Sequence, residues 1–104
     1  MEFIETEIFT KYSEKLISDE SLAHIQQILS INPQLGSVIP AGKGLRKMRW
    51  KSFNKGRRGG IRIIYYWNVI NNLIYLLYAY DKTKKEDLTF DELKFLSNLV
   101  KEMT

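Results

Sequence analysis

Residues 43–62 read KGLRKMRWKSFNKGRRGGIR and run straight into the apolar IIYYW of residues 63–67. This stretch holds nine of the sixteen basic residues and no acid, which is an electrostatic footprint for a polyanion. Side chains alternate faces along a strand. In GLRKMRWKS, Leu45, Lys47, Arg49 and Lys51 therefore share one face, while Arg46, Met48 and Trp50 take the other. After Gly59 and Gly60, a second strand sends Ile61, Ile63, Tyr65 and Trp67 one way and Arg62, Ile64, Tyr66 and Asn68 the other, with Arg62 its only charge. A stripe of cations is usually a solvated strand face. Here the cations repel one another across the sheet and no carboxylate lies nearby in sequence, so an absent anionic partner explains them better.

The segments on either side complete an α+β pattern. Residues 53–60, rich in glycine and cations, suit a mobile hairpin tip, and the strand from Ile61 runs to about Val69 or Ile70. Asn71 and Asn72 then make a tight turn. Residues 73–80 form a third strand, whose near-continuous apolarity predicts a central position or cover on both faces. The three strands make a meander. Residues 2–6 predict a short strand with Phe3 and Ile4 packing inward, and residues 7–17 a helix facing the core with Ile8, Tyr12, Leu16 and Phe9. Ser18 caps a second helix, with Asp19 and Glu20 at its positive end, Leu22, Ile25, Ile28 and Leu29 as its inward stripe, and Asn32-Pro33 as its stop. His24 sits off that stripe. Residues 33–44 read as a loop. At the C-terminus Thr89 and Glu92 form a capping box with Leu88 and Leu93 as its hydrophobic staple, which starts a last helix near Phe90 that packs through Leu93, Leu96, Leu99, Val100 and Met103.

The 104 residues fit one domain, 1–104, and 44% hydrophobic with 27% charged is ordinary for a globular chain. The net charge of +4 hides a segregation. Residues 1–20 carry six acids and two lysines, residues 21–80 no acid, and the remainder is nearly balanced. With no cysteine and one histidine, thiol chemistry, disulfides and a zinc site are excluded. No Ser-His-Asp set, paired carboxylates or phosphate-cradling loop stands in the sequence. The acidic start and the lack of a long apolar run point to a cytoplasmic protein. Any catalytic groups are therefore cations and tyrosines, and no cofactor is expected. One reaction suits such a set: RNA cleavage by the 2′-hydroxyl on the neighbouring phosphate, with the developing charge held by Arg and Lys. A lysine crowded by other cations would lean toward a general base, and a tyrosine can stack on a base or donate a proton.

GLRKMRW (44–50), GRRGGIRIIYYW (56–67) and LIYLLYAYDKTKKEDLT (73–89) together resemble the RelE superfamily of toxins from type II toxin–antitoxin systems, and in particular its HigB-like branch. The resemblance covers most of the chain. It implies a short N-terminal strand and two helices packed on an antiparallel meander, with a C-terminal helix. It also implies a metal-independent endoribonuclease that cuts mRNA in the ribosomal A site against rRNA, and a neutralising antitoxin with a helix-turn-helix DNA-binding domain. By the same resemblance, Lys47 and Arg49 match the family's strand cations, Arg62 its arginine after the glycine turn, and Lys82 its cation after the third strand. Tyr80 is similar to the tyrosine of HigB-like members. Leu88 falls where RelE carries its own tyrosine, which leaves the acid and base unassigned. Lys51, Arg58 and Lys84 are expected to touch RNA. Arg46, on the opposite face, is open between RNA and an ion pair with an N-terminal acid. Trp50, Tyr65 and Trp67 read as core or interface side chains, and Lys85 as a solvated loop residue. Two other readings compete with the nuclease: a non-catalytic gyrase-directed toxin of the same fold, as in the ParE branch, and a general RNA-binding protein.

Overall fold

The computed structural model describes residues 1–51 and 60–104. Along the chain run β1 (Glu2–Glu5), α1 (Glu7–Ser13), α2 (Asp19–Ile31), β2 (Ser37–Val38), β3 (Arg46–Trp50), β4 (Ile61–Asn68), β5 (Leu73–Asp81) and α3 (Phe90–Met103). The strands form one sheet in the order β1-β5-β4-β3-β2. The predicted meander is β3, β4 and β5, antiparallel throughout, while β1 lies parallel to β5 on its far edge. β5 is thus flanked on both sides and covered on both faces, which accounts for its almost unbroken apolar sequence.

Alternation on β4 divides the core in two. Ile61, Ile63 and Tyr65 pack with Phe9, Ile17, Ile25, Leu29, Met48, Ile74, Leu76 and Ala79 under α1 and α2. On the other face Ile64 packs with Leu45, Tyr75, Leu77, Leu96 and Val100 under α3. Each fully buried aliphatic side chain contributes on the order of 1.5–3 kcal/mol through removal from water. Trp50 and Trp67 lie against the first cluster, and Tyr66 and Tyr78 against the second. The caps are as predicted. Ser18 accepts from Ser21 N, while Thr89 accepts from Glu92 N as Glu92 accepts from Thr89 N in return.

Four expectations need correction. α1 stops at Ser13, because the Leu16 and Ile17 amides both turn back to the Ser13 carbonyl, at 3.0 and 2.8 Å, which sends Ile17 into the core. Its buried face also differs: Phe9 is fully enclosed while Tyr12 is 43% exposed. The orientation of this helix of about two turns is set by its anchor on β5 rather than by its own periodicity. β1 half-buries Phe3 but leaves Ile4 exposed, as befits an edge strand. The loop before β3 contains the two-residue strand β2, paired with Lys47 and Arg46. There Gly36 is obligatory, since an added Cβ would stand 2.8 Å from the Tyr65 ring, whose hydroxyl accepts from Gly36 N at 2.8 Å and donates to Pro33 O at 2.7 Å.

A bulge interrupts the β4–β5 ladder. Ile64 pairs with Tyr78 and Tyr65 with Leu76, so Leu77 is the extra residue. Both Leu77 and Tyr78 consequently face α3, and the alternation beyond them is re-phased. Thr6, at the junction of β1 and α1, secures the spot. Its amide bonds the Leu76 carbonyl at 3.1 Å, and its hydroxyl reaches the Leu76 and Leu77 carbonyls at 3.1 and 3.2 Å while accepting from Phe9 N.

Candidate functional site

The sheet register draws the site. Arg49 on β3 pairs with Arg62 on β4, and Arg62 pairs with Tyr80 on β5, so the three stand in one row across adjacent strands on the α3 face. Lys47 lies one pair further along the same face of β3, opposite Ile64 and, through it, Tyr78. The row depends on the bulge, because strict alternation from Tyr75 and Leu77 would have turned Tyr80 away. At the end of the row Gly60 (φ 71°) closes the sheet: a Cβ there would meet the Trp50 carbonyl at 2.7 Å, and the Gly60 carbonyl accepts from Lys82 N at 3.2 Å. Lys82 is thereby tied to the start of β4, two residues from Arg62, with its side chain exposed.

Burial grades the row from wall to mouth. Arg62 and Tyr80 are each 4% exposed, whereas Arg49 is exposed and Lys47 half-buried. The Tyr80 hydroxyl is pushed up to about 12, chiefly by burial and next by the Asp87 carboxylate, with Arg62 pulling the other way. It is therefore a proton donor across the physiological range. The Tyr78 ring lies tilted 5.8 Å from that of Tyr80 and meets Tyr12 edge-on at 5.0 Å. Beyond them a pocket of about 370 Å³ opens between α1 and α3, walled by Tyr12, Tyr78 and Phe95; Lys11, Asp91 and Glu92 give it no cationic excess, so it is separate from the cation row.

Lys47 and Lys85 have carboxylate partners that the sequence did not disclose. The Lys47 ammonium stands 3.3 Å from Asp87 Oδ1. The same oxygen accepts from Leu88 N at 2.8 Å and, weakly, from the Tyr80 hydroxyl at 3.5 Å. The Leu88 amide, aided by Lys47 and Tyr80 against some burial, holds the Asp87 carboxyl below its usual range. Lys47 thus faces a carboxylate as well as the neighbouring cation Arg49 on its own strand face. Lys85, expected to be solvated, pairs with Glu92 at 2.6 Å. Among the described residues Arg46 pairs with no N-terminal acid; its guanidinium donates to the Gly36 carbonyl at 2.8 Å and the Gln34 carbonyl at 3.3 Å.

Of the expected RNA-contacting residues, Lys51 follows β3 and is exposed, and Lys84 is exposed on the turn after β5. That turn is braced by Asp81, whose Oδ1 accepts from Thr83 N and Oγ1, and whose carbonyl accepts from Lys84 N and Lys85 N. Arg58 and the hairpin tip at residues 53–60 lie outside the described residues, apart from Gly60. Asp87 is the site residue that sequence reasoning missed. It meets Lys47 forty positions away, and only its place two residues before the Thr89 cap marked it as held near the end of β5.

A solved structure of a mutant of the E. coli toxin RelE in the free state is similar in fold to this chain, with TM-score 0.58 and 18% identity over 90% of this chain and 94% of that one. The profile of a protein family described as the RelE toxin of the RelE / RelB toxin–antitoxin system matches residues 1–104. An α+β sheet of this topology, with Lys47, Arg49 and Arg62 on one face, and a family match along its whole length lead to one conclusion: the chain belongs to the RelE toxin family, and its partner is an antitoxin.

Proposed function

We propose that the protein is an endoribonuclease of the HigB-like kind, cutting mRNA in the ribosomal A site without a metal ion. The observation that carries this reading is the row Arg49–Arg62–Tyr80, flanked by Lys47 and Lys82, on three neighbouring strands. In the proposed reaction the 2′-hydroxyl passes its proton to water as its oxygen attacks the adjacent phosphorus, and the bond to the 5′-oxygen breaks. Arg49 and Arg62 hold the charge that builds on the phosphoryl oxygens, where fixed donors in a partly dry site are most effective. Tyr80, kept protonated by its surroundings, gives its proton to the departing 5′-oxygen. Lys82 and Lys47 extend the positive field to the flanking phosphates, and Lys51, Lys84 and Arg58 are assigned to RNA and rRNA further out. The cytoplasm is where this substrate is met. A helix-turn-helix antitoxin remains the proposed form of the partner.

The test uses two exposed cations, so that folding is spared. Arg49→Ala and Lys82→Ala should each abolish growth arrest on induction, with thermal unfolding as in wild type. Primer extension on mRNA from arrested wild-type cells should show discrete codon-aligned cuts. Full toxicity of both variants, or intact mRNA accompanied by DNA breaks, would transfer the protein to the gyrase-directed reading.

A further inference from the structure

Asp87 is an acid in a site otherwise built to attract anions. Its Oδ1 is the point on which the Lys47 ammonium, the Tyr80 hydroxyl and the Leu88 amide converge. Three donors around one negatively charged oxygen is also the environment that a phosphoryl oxygen requires. The carboxylate is held only from the mouth of the site: the Asp87 side chain is 65% exposed and that of Lys47 32% exposed, and ion pairs so open to water contribute little. A phosphate at the same point would meet Lys47 and, with several charged oxygens where the carboxylate has two, would also extend toward Arg49 and Arg62 on the same face. The exchange therefore favours phosphate.

We propose that the Asp87 carboxylate is a built-in stand-in for a substrate phosphoryl oxygen, keeping Lys47 and the Tyr80 hydroxyl aimed at one point in the free toxin and swinging out when RNA arrives. This rests on the polyanion reading of the row given above. The stand-in has a physical purpose. Without it, Lys47 and Arg49 share a strand face with only like-charged neighbours, and long cationic side chains would spread away from one another; with it, two donors from different strands are already converged before the ligand binds. Less ordering then remains to be done on binding. Asp87 is in this sense a positioning residue and a competitor at once, and the burial-driven rise of the Tyr80 hydroxyl is reinforced by it.

Inorganic phosphate titrated into the whole toxin and followed by NMR provides the test, with Asp87→Asn as the variant. The amide keeps an acceptor oxygen for Leu88 N and removes only the charge, so the cap and turn are retained. In wild type, phosphate should move the Lys47, Tyr80 and Leu88 amide signals together with the Asp87 carboxyl. In Asp87→Asn it should bind roughly two- to fivefold tighter, the size expected for relief of one exposed ion pair. Equal affinity in the two proteins, with Leu88 and Asp87 signals still while Lys47 and Arg62 move, would overturn the stand-in and leave the phosphate-binding row intact. Failure of phosphate to move Lys47, Arg49 or Arg62 in either protein would overturn both. A kcat lowered about a hundredfold or more at unchanged phosphate affinity would make the carboxylate a reacting group, which the stand-in also forbids.

Discussion

Ile63 and Arg62 are neighbours on β4 and point to opposite faces of the same sheet, and the two faces differ in what closes them. The face taking Ile63 is sealed by α1 and α2 over a continuous apolar cluster running from Met48 to Leu76 and Ala79. The face taking Arg62 is covered by α3 over Leu45, Ile64, Tyr75 and Leu77, and its remaining end carries Arg49, Arg62 and Tyr80. Placing Arg49 directly across from Arg62 is a cross-strand pairing of like charges, which weakens a sheet. The closed face offsets that cost, so that one side of each strand supplies the rigidity with which the other holds its cations opposed.

Substitutions on the two faces should therefore separate stability from activity. The largest effect is expected at the closed face: Ile63→Ala should lower unfolding free energy by about 2–5 kcal/mol in urea denaturation, leaving cleavage per folded molecule unchanged. Tyr65→Phe should cost about 1–3 kcal/mol by the same measurement, because the buried Gly36 amide loses its acceptor. Arg49→Leu breaks the pattern in the other direction. Relief of the like-charge pair should leave the sheet as stable or more stable by about 0.2–1 kcal/mol, while cleavage is lost; a destabilised and fully active Arg49→Leu would contradict the division of labour.

The smallest effect is read at high pH. The Tyr80 hydroxyl titrates at about 12 in the folded protein, above the ordinary tyrosine value of 10.0. The stability it contributes is whole below the unfolded value and is lost as pH rises through the folded one. Wild type should accordingly lose stability more steeply than Tyr80→Phe between about pH 10 and 12, as read from urea midpoints.

How much of this was legible in the sequence depended on the range of the cause. The caps at Ser18 and Thr89, the α2 stripe and the faces of β3 and β4 follow from neighbours within a few residues, and they appear as read. Alternation also put Lys47 and Arg49 on one face of β3 and Arg62 as the lone charge on one face of β4, while the register that joins those two faces is seen only in the structure. What the sequence did not show was set by partners far along the chain. Arg46 is bound by carbonyls of the loop before β2, Asp87 reaches Lys47 across forty positions, and β1 chose the free edge of β5 in parallel. α1 was misjudged for a related reason: a helix of seven residues is too short for its own pattern to outweigh the pull of Thr6 on β5.

A strand's two-residue repeat admits only two phases, so the single unpaired Leu77 works as a toggle. Pairing Leu77 with Ile64, with no residue left over, would flip the phase beyond it, presenting Ala79 and the carboxylate of Asp81 to the arginines and driving the phenol of Tyr80 under the helices. The spacing of this short segment, more than its composition, thus decides whether the end of the sheet attracts a phosphodiester or neutralises itself, and an edge threonine seventy positions away keeps that spacing.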